Sequence, residues 1–417
     1  MTRNIIIKFF YLTLIVLPIY SCVSKNDIEA IGEIRINVNL PNDFNSTSGL
    51  VGKQVMLKNR YEKTFYTAIT NSDGVAVFNN IVQGIYDLSV AVEMSNNEFK
   101  QIAPEAAYNI SSDIVLNGTT EGLRILDNKQ TSFEQNLVWA IKGDLIISKL
   151  YYTGCRNESN KSYQNDRYTT IYNNSDKVVY LDKLCLASLW GSPNGTIPNY
   201  FYQTDKDNVY ASWIAQFPGD GDDYPLNPGE SIVVAQSALN HKADIPRSVD
   251  LSNVEWETYW ADANKDVDNP DVPNLDIIYF STPKSADVSY SVYGPAVVIF
   301  KNDDVSSFPV VNEPNKTMFF SKIPVTCIID AVDCLKDDNQ IIMKRLPLLL
   351  DASYTSAYAS YIGASVERGV SYITSDGRKI LKDTNNSFAD FVLVSPREDG
   401  TSDHLDPYSN DKPELYK

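Results

Sequence analysis

Apolar and polar positions alternate along much of the first third of the chain. The stretch IGEIRINVNL places Ile34, Ile36 and Val38 on one face and polar residues on the other. The same alternation follows Gly84, where the apolar positions are Tyr86, Leu88, Val90 and Val92. A period of two is typical of half-buried strands. Short strands with turns between them favour a β-sandwich over residues 33–142.

Strand and turn signals continue from residue 143 to residue 417, but long stretches separate them. Residues 166–186, DRYTTIYNNSDKVVYLDKLCL, predict a strand, a polar turn and a second strand. Residues 223–236, DYPLNPGESIVVAQ, predict a turn followed by a strand. We therefore expect a mainly β fold of two immunoglobulin-like β-sandwiches, the second with long insertions that contain short helices.

One stretch inside these insertions has a helical pattern. In VDLSNVEWETYWADANKD, Ser252 and Glu255 have the spacing of a capping box, in which each side chain satisfies a free backbone N–H. Trp256 and Trp260 then lie four residues apart, on one face of a helix. The pattern predicts a helix in this stretch.

The pattern D-G-x-x-x-F-x-x-I-x-x-G-x-Y-x-L-x-V of residues 73–90 resembles the carboxypeptidase-regulatory-like, or prealbumin-like, sandwich module. The resemblance covers roughly residues 33–95. In that family the module usually spaces or stabilises other domains, which implies a stalk here.

Residues 172–175, YNNS, together with Val179, Leu181 and the LNPGE of residues 226–230, resemble the lamin-tail-like immunoglobulin sandwich. Most of the chain after residue 21, together with the IYSC of residues 19–22 and the DTNNS of residues 383–387, also resembles Bacteroidetes lipoproteins of the domain-of-unknown-function family 4876. That resemblance implies no established activity. Loops on a rigid sandwich usually carry binding, so a function specific to this chain is expected in the insertions.

Residues 1–21 have the order of a secretory signal, with Arg3 and Lys8 before an apolar run. The run is shorter than the about 20 residues that span a bilayer. It ends in IYSC, residues 19–22, which resembles the lipobox of bacterial lipoproteins, where the cysteine is acylated. The alternative is an ordinary secretory signal with an incidental cysteine. We predict a lipoprotein signal peptide with Cys22 as the lipidated residue.

Residues 22–32 are polar and predict a tether. Acidic residues just after the cysteine, here Asp27 and Glu29, resemble the signal that exports lipoproteins of gut Bacteroidetes to the outer face of the outer membrane. A solvated tether without that signal is the alternative. We expect an outer-membrane lipoprotein that faces the cell exterior.

The charge balance excludes one class of partner. The formal net charge is −17, from 53 acidic and 36 basic residues. Such a surface repels phosphate backbones, so nucleic acid is not an expected partner. Only His241 and His404 are histidines, which argues against triad hydrolysis or a histidine-rich metal site.

Four cysteines follow the predicted anchor, in an exported chain for which disulfides are the first expectation. Pairing of sequence neighbours joins Cys155 to Cys185 and Cys327 to Cys334. Free, buried thiols are the alternative. A zinc site is disfavoured because no C-x-x-C pair occurs.

Two groups of residues are candidate ligand contacts. Asp266, Asp268 and Asp271 offer oxygen ligands in a turn-rich loop, as calcium requires, although they do not form an EF-hand and a solvated acidic loop is the alternative. The aromatic candidates could stack on a ligand or fill the core, and they are Trp190, Tyr200, Tyr202 and Trp213.

These features together predict a surface lipoprotein that binds a ligand or acts as a scaffold without catalysis. The resemblance implies an accessory role in nutrient uptake beside a TonB-dependent transporter. One alternative is a surface glycan hydrolase with paired carboxylates. Another is a structural or adhesive protein.

Overall fold

A computed structural model describes residues 30–44, 50–62, 64–108, 110, 112–262, 266–282, 287–336, 338–396 and 402–408. The predicted signal peptide, Cys22 and the first residues of the predicted tether, including Asp27 and Glu29, lie outside the described residues. Two β-rich units follow in sequence, and we call residues 30–141 the first unit and residues 145–408 the second unit.

The first unit consists of strands and one short helix. Helix α1 (Asn96–Ile102) begins with a capping box in which Ser95 and Glu98 bond each other's backbone N–H. The strands are β1 (Ala30–Asn39), β2 (Gln54–Asn59), β3 (Phe65–Ile69), β4 (Val75–Val82), β5 (Gly84–Met94), β6 (Ile114–Ile125), β7 (Ser132–Asn136) and β8 (Val138–Ile141).

Two sheets of the first unit enclose an apolar core. One sheet has the order β4-β1-β7, and the other has the order β3-β2-β5-β6-β8. Ile34 and Ile36 from the first sheet and Val55 and Leu88 from the second belong to one buried cluster. The predicted alternation of strands β1 and β5 is confirmed, because their apolar positions are the buried ones.

The second unit has more and shorter strands. Its helices are α2 (Tyr200–Thr204) and α3 (Ser387–Asp390), and no helix among the described residues is long and apolar enough to cross a membrane. The strands are β9 (Leu145–Tyr151), β10 (Cys155–Arg156), β11 (Ser162–Tyr163), β12 (Tyr168–Asn173), β13 (Val179–Tyr180), β14 (Leu184–Leu189), β15 (Asn208–Gln216), β16 (Pro225–Leu226), β17 (Ser231–Ala235), β18 (Trp256–Glu257), β19 (Asp276–Phe280), β20 (Ala296–Lys301), β21 (Val310–Asn312), β22 (Phe319–Pro324), β23 (Ile328–Asp333), β24 (Ser365–Arg368), β25 (Val370–Ile373), β26 (Lys379–Leu381) and β27 (Phe391–Val394).

Two large sheets pack face to face in the second unit. One has the order β18-β17-β12-β9-β24-β27. The other has the order β21-β22-β15-β14-β20-β23, with β19 paired to β15. Ile147 and Ile171 of the first sheet and Leu186 and Val297 of the second share one buried cluster. The predicted mainly β fold with β-sandwich sheets and few short helices is therefore confirmed.

The helix predicted for the VDLSNVEWETYWADANKD stretch is wrong. Its described residues form turns and the short strand β18. The carboxylate of Glu255 accepts from the backbone N–H of Val233 at 2.9 Å instead of capping a helix. Ser252 donates its hydroxyl to Asp250 at 2.7 Å, and Trp256 packs in the main core. The contacts of this stretch with β17 and with the core outweigh its local helical pattern.

The predicted disulfides are also not formed, because the four cysteines described by the structure are free thiols. The paired residues lie in different surroundings: Cys155 is on β10, in a two-stranded ribbon, and Cys185 is in the centre of the seven-stranded sheet. Cys334 is fully buried in the main core, whereas Cys327 is half-buried and accepts from Asn302. The alternative of separate free thiols describes this chain.

A buried network of ion pairs around Arg368 connects loops of the second unit with its sheets. The guanidinium of Arg368 lies 2.7 Å from Asp330, 3.1 Å from Asp390 and 3.4 Å from Asp383. All four side chains are almost fully buried. Arg368 is on β24 of one large sheet and Asp330 is on β23 of the other, and Asp383 follows β26. The network therefore joins both large sheets to the two-stranded β25–β26 ribbon.

Candidate functional site

Trp190 and Tyr200 pack on one aromatic cluster, through Phe320 and Phe201, whereas Trp213 lies apart from them in the main core. Trp213 is buried in the main core and donates its indole N–H to the backbone carbonyl of Ser289 at 2.9 Å. Trp190 stacks on Phe320 with ring centroids 4.5 Å apart. Tyr202 is buried, and Tyr200 is partly exposed.

Two of the three calcium candidates accept hydrogen bonds from different partners. Asp266 accepts from the backbone N–H of Trp260 at 2.8 Å, and Asp268 accepts from the side-chain amide of Asn274 at 2.9 Å. Asp271 is exposed. Burial raises the pKa of Asp266 to about 6, against the effect of its backbone donors. Within the described ranges no group of three or more His, Cys, Asp or Glu side chains could hold a metal ion. Asp266 and Asp268 instead hold the loop through their hydrogen bonds.

A cavity of about 430 Å³ opens where β10, the loop before β24 and the C-terminal segment meet. This volume lies within the range of about 300–1,000 Å³ that is usual for small-molecule sites. We call it the Arg–Tyr pocket. Its described lining is Cys155, Arg156, Arg247, Tyr358, Tyr361, Ile362, Gly363, Ser395, Pro396 and His404.

The floor of the Arg–Tyr pocket rests on a buried polar cluster. The thiol of Cys155 lies 3.4 Å from the carboxylate of Asp166, which also accepts from the hydroxyls of Tyr151 at 2.8 Å and Ser248 at 2.7 Å. Burial and the adjacent Asp166 raise the pKa of the Cys155 thiol far above its usual range. The thiol is therefore protonated at neutral pH, and it is a poor nucleophile.

One wall of the pocket is a loop with an unusual backbone. Tyr358 has φ +43°, Tyr361 has φ +60° and Gly363 has φ +64°. Bulky residues rarely adopt the left-handed region, and each costs of order 1–3 kcal/mol. Hydrogen bonds to the segment after β9 hold the loop, because the N–H of Tyr361 donates to Thr153 O at 2.7 Å and the N–H of Gly363 donates to Gly154 O at 2.8 Å.

His404 holds the same loop from the other side. Its Nε2 lies 2.7 Å from the carbonyl oxygen of Gly363. A carbonyl only accepts hydrogen bonds, so Nε2 carries the proton. The histidine is buried, and this hydrogen bond is made to the backbone. His404 therefore positions the wall of the Arg–Tyr pocket.

Two exposed arginines form the rim. The guanidinium of Arg156 lies 5.7 Å from the ring centroid of Tyr361 and donates to Asn160 O at 3.0 Å. Arg247 makes no hydrogen bond or ion pair with any residue that the structure describes. No acidic side chain belongs to the described lining of the pocket. The rim thus presents positive charge on an acidic protein.

A larger cavity, of about 570 Å³, lies beside β8 and β23. Its charged side chains are already paired: Lys142 lies 3.1 Å from Glu93, and Asp330 lies 2.7 Å from Arg368. Lys301 donates to the carbonyl of Tyr180 at 2.6 Å. The Arg–Tyr pocket is the better candidate site because it offers an arginine that the fold does not use.

None of the residues on the rim or the wall was predicted from the sequence. Arg156 and Arg247 stand in different loops, and the tyrosines lie more than a hundred residues beyond Arg247. A signal was present in the run SYTSAYASYIGAS, residues 353–365. Tyrosine and small residues together are typical of binding loops.

Comparison with known proteins connects this fold with a family. Residues 227–397 match the family model described as Protein of unknown function (DUF4876). This range contains the wall of the Arg–Tyr pocket and Arg247. None of the curated proteins matches the chain.

Two solved structures are similar to this chain to different degrees. The alignment with fervidolysin from Fervidobacterium pennivorans, a keratinolytic enzyme related to subtilisin, has a TM-score of 0.19 and 14% identity over 39% of this chain and 27% of that chain, which is too low for any argument. The chain shares its fold with a DUF4876 family protein from Bacteroides thetaiotaomicron VPI-5482, at 23% identity and a TM-score of 0.55 over 92% of this chain and 99% of that chain.

Proposed function

We propose that this protein is an outer-membrane lipoprotein of the cell surface that binds a ligand without chemical change, as an accessory to TonB-dependent nutrient uptake. The observation that carries ligand binding is the Arg–Tyr pocket, a preformed cavity on a β-sandwich. Function on such scaffolds is usually carried by loops held in place by the sheets. The anchor and the transporter partner rest on the resemblance to Bacteroidetes lipoproteins.

The states of Cys155, which lines the pocket, and of His241, which lies outside its described lining, support binding over catalysis. The Cys155 thiol is protonated for the reasons given above. Both ring nitrogens of His241 are in use, since Nε2 lies 2.8 Å from Ser237 O and Nδ1 lies 2.6 Å from the hydroxyl of Tyr163. Burial lowers the pKa of His241, which keeps it neutral.

The order of Cys22, the first unit and the second unit along the chain supports a separate role for each. Lipid on Cys22 would fix the chain in the membrane, because each buried CH₂ contributes roughly 0.8 kcal/mol. The first unit, with its apolar core, would set the distance from the membrane. The second unit would then offer the Arg–Tyr pocket to ligands outside the cell.

Anchoring and exposure are tested together in intact cells. We expect the wild-type chain in the outer-membrane fraction and its cleavage by added protease. The Cys22→Ala variant is expected in the soluble fraction, because it cannot be lipidated. Cys327→Ala is the matched control, since it removes a half-buried free thiol outside the lipobox-like stretch and is expected to stay membrane-bound.

The transporter partnership is tested by affinity purification of the tagged chain from the native envelope. Co-purification with a TonB-dependent transporter is the expected result. A chain that resists outside protease and purifies alone would contradict both surface display and the accessory role.

A further inference from the structure

We propose that the Arg–Tyr pocket binds a small organic anion with a carboxylate or similar oxyanion on a flat apolar body. The inference rests on the proposed function and specifies the chemical class of its ligand. It uses three features of the pocket, which are the charge of its rim, its aromatic wall and its preformed backbone.

The charge of the rim is the first feature. Acidic residues outnumber basic ones by 53 to 36, yet the described lining of the pocket has two arginines and no carboxylate. An exposed arginine of an acidic protein usually has carboxylates near it. Arg156 and Arg247 therefore place two positive charges at the pocket mouth, against the one buried carboxylate of Asp166 beneath the floor, and positive charge attracts anions.

The free N–H groups of the same arginines show why the charged rim should bind an oxyanion. Arg156 uses one nitrogen on Asn160 O, and its other guanidinium N–H groups have no partner among the described residues. Arg247 has no hydrogen-bond partner among the described residues, so all of its guanidinium N–H groups are available. Guanidinium groups bind carboxylates in two parallel hydrogen bonds, which gives both affinity and orientation.

The wall explains why the ligand should also have a flat body. The rings of Tyr358 and Tyr361 and the side chain of Ile362 line the cavity beside the arginines. The Tyr361 hydroxyl donates to the side-chain carbonyl of Gln164 at 3.2 Å, which fixes the direction of the ring. Flat apolar groups pack well against such rings.

The backbone of the wall indicates a preformed site. The left-handed Tyr361 and Gly363 donate their N–H groups to Thr153 O and Gly154 O, and the left-handed Tyr358 donates its N–H to the Ser356 hydroxyl at 3.1 Å. Strained conformations of this kind cluster at ligand sites, where the surrounding structure holds them. A rigid loop loses little entropy on binding, so a ligand retains more of its contact energy.

The test compares two fluorescent probes of nearly the same shape with the full-length mature chain. 1-Anilinonaphthalene-8-sulfonate carries an oxyanion, and 1-anilinonaphthalene is its uncharged parent. We expect the anionic probe to bind at least about tenfold more tightly, since a charge-assisted hydrogen bond corresponds to about that factor. Its affinity is expected to fall as salt is raised.

Variants show whether that affinity comes from the Arg–Tyr pocket. Arg247→Gln and Arg156→Gln are each expected to weaken the anionic probe about tenfold and to leave the thermal unfolding midpoint unchanged, because both side chains are exposed. Arg247→Lys keeps the charge without the planar guanidinium. Its affinity for the anionic probe is expected to lie between those of the wild type and Arg247→Gln. Arg124→Gln, an exposed arginine of β6, is the matched control.

Equal affinity for the two probes would overturn anion recognition, and so would anionic binding that Arg247→Gln and Arg156→Gln leave unchanged. Absence of binding by either probe would also overturn it. None of these results concerns anchoring or surface exposure, which the protease experiment decides separately.

Discussion

The two units bury different chemistry. In the described part of the first unit the buried polar residues are uncharged, and they are Asn59, Thr70, Asn117 and Gln135. The second unit buries charged side chains throughout, and they are Lys149, Asp166, Arg167, Asp182, Glu257, Asp330, Asp333, Lys344, Arg345, Asp351, Glu367, Arg368, Asp383 and Asp390.

The difference follows from how much irregular backbone each unit must satisfy. Regular strands pair their own N–H groups, but buried loops need other acceptors. Asp351 accepts from the backbone of Asp333 at 2.9 Å and of Ser387 at 2.9 Å. Glu257 accepts from Ala238 and Asn269, each at 2.8 Å. Buried carboxylates thus replace missing strand partners in the second unit.

Among the predicted changes, breaking the Arg368 network should lower the free energy of unfolding the most. Arg368→Met leaves Asp330, Asp383 and Asp390 buried without their cation. Removing one partner of a buried ion pair costs roughly 3–5 kcal/mol, and we expect about 4 kcal/mol by urea unfolding. Arg124→Met is the control and should change the free energy of unfolding by less than about 0.5 kcal/mol. A loss below about 1 kcal/mol for Arg368→Met would contradict the role of the network.

A cavity in the first unit should destabilise it through packing alone. Leu88 is fully buried in the apolar cluster. Leu88→Ala is expected to cost about 3 kcal/mol, from lost transfer energy and the cavity left behind. Hydrogen exchange should show faster opening in residues 30–141, by the same factor at pH 5 and pH 8. A pH-dependent effect would mean that the first unit also depends on buried charge.

The pH dependence of stability should arise in the second unit. Burial raises the pKa of Glu257 to about 7, against its two backbone donors. Between about pH 4.5 and pH 7 the native state keeps a proton that the unfolded state has lost, so the free energy of unfolding falls as pH rises. The fall expected from Glu257 alone is up to about 3 kcal/mol. Glu257→Gln cannot ionise, so its curve should fall less by that amount, and the raised pKa values of Asp266 and Asp351 (each about 6) and Asp383 (about 7) account for the fall that remains. An unchanged curve would contradict the shift.

The contribution of Asp182 to the free energy of unfolding should have the opposite pH dependence and should be smaller than that of Glu257. Burial would raise the pKa of this aspartate, but N–H donors of Gly221, Asp223 and Tyr224 outweigh it and lower the pKa to about 2. Its contribution is complete above pH 4 and is lost as pH falls towards 2. Asp182→Asn should cost about 2 kcal/mol at pH 7 and little at pH 2. Asp176→Asn, which is exposed, is the control for urea unfolding at both pH values.

Much of the sheet structure could be predicted from local pattern. Leu181, Leu184 and Leu186 follow the predicted polar turn and are buried. The turn itself is held by Asn173, whose amide donates to Lys177 O and Leu226 O at 2.8 Å each. Alternation and turn residues are local signals, so one sequence is enough to recognise them.

The failed helix and the Arg–Tyr pocket depend on contacts between distant segments. Glu255 had a helical spacing with Ser252, but Val233 and Tyr408 lie within hydrogen-bond distance of its carboxylate in the fold. Arg156, Arg247 and the tyrosine loop meet only after three segments have packed together. No spacing in the chain encodes such a meeting.

The most direct test of the central claim is hydrogen–deuterium exchange of the full-length mature chain with and without 1-anilinonaphthalene-8-sulfonate. Binding in the Arg–Tyr pocket predicts slower exchange at residues 153–157 and 358–364 and no change in residues 30–141. Protection confined to the first unit, or to the strands around Trp190 and Phe320, would contradict the proposed site.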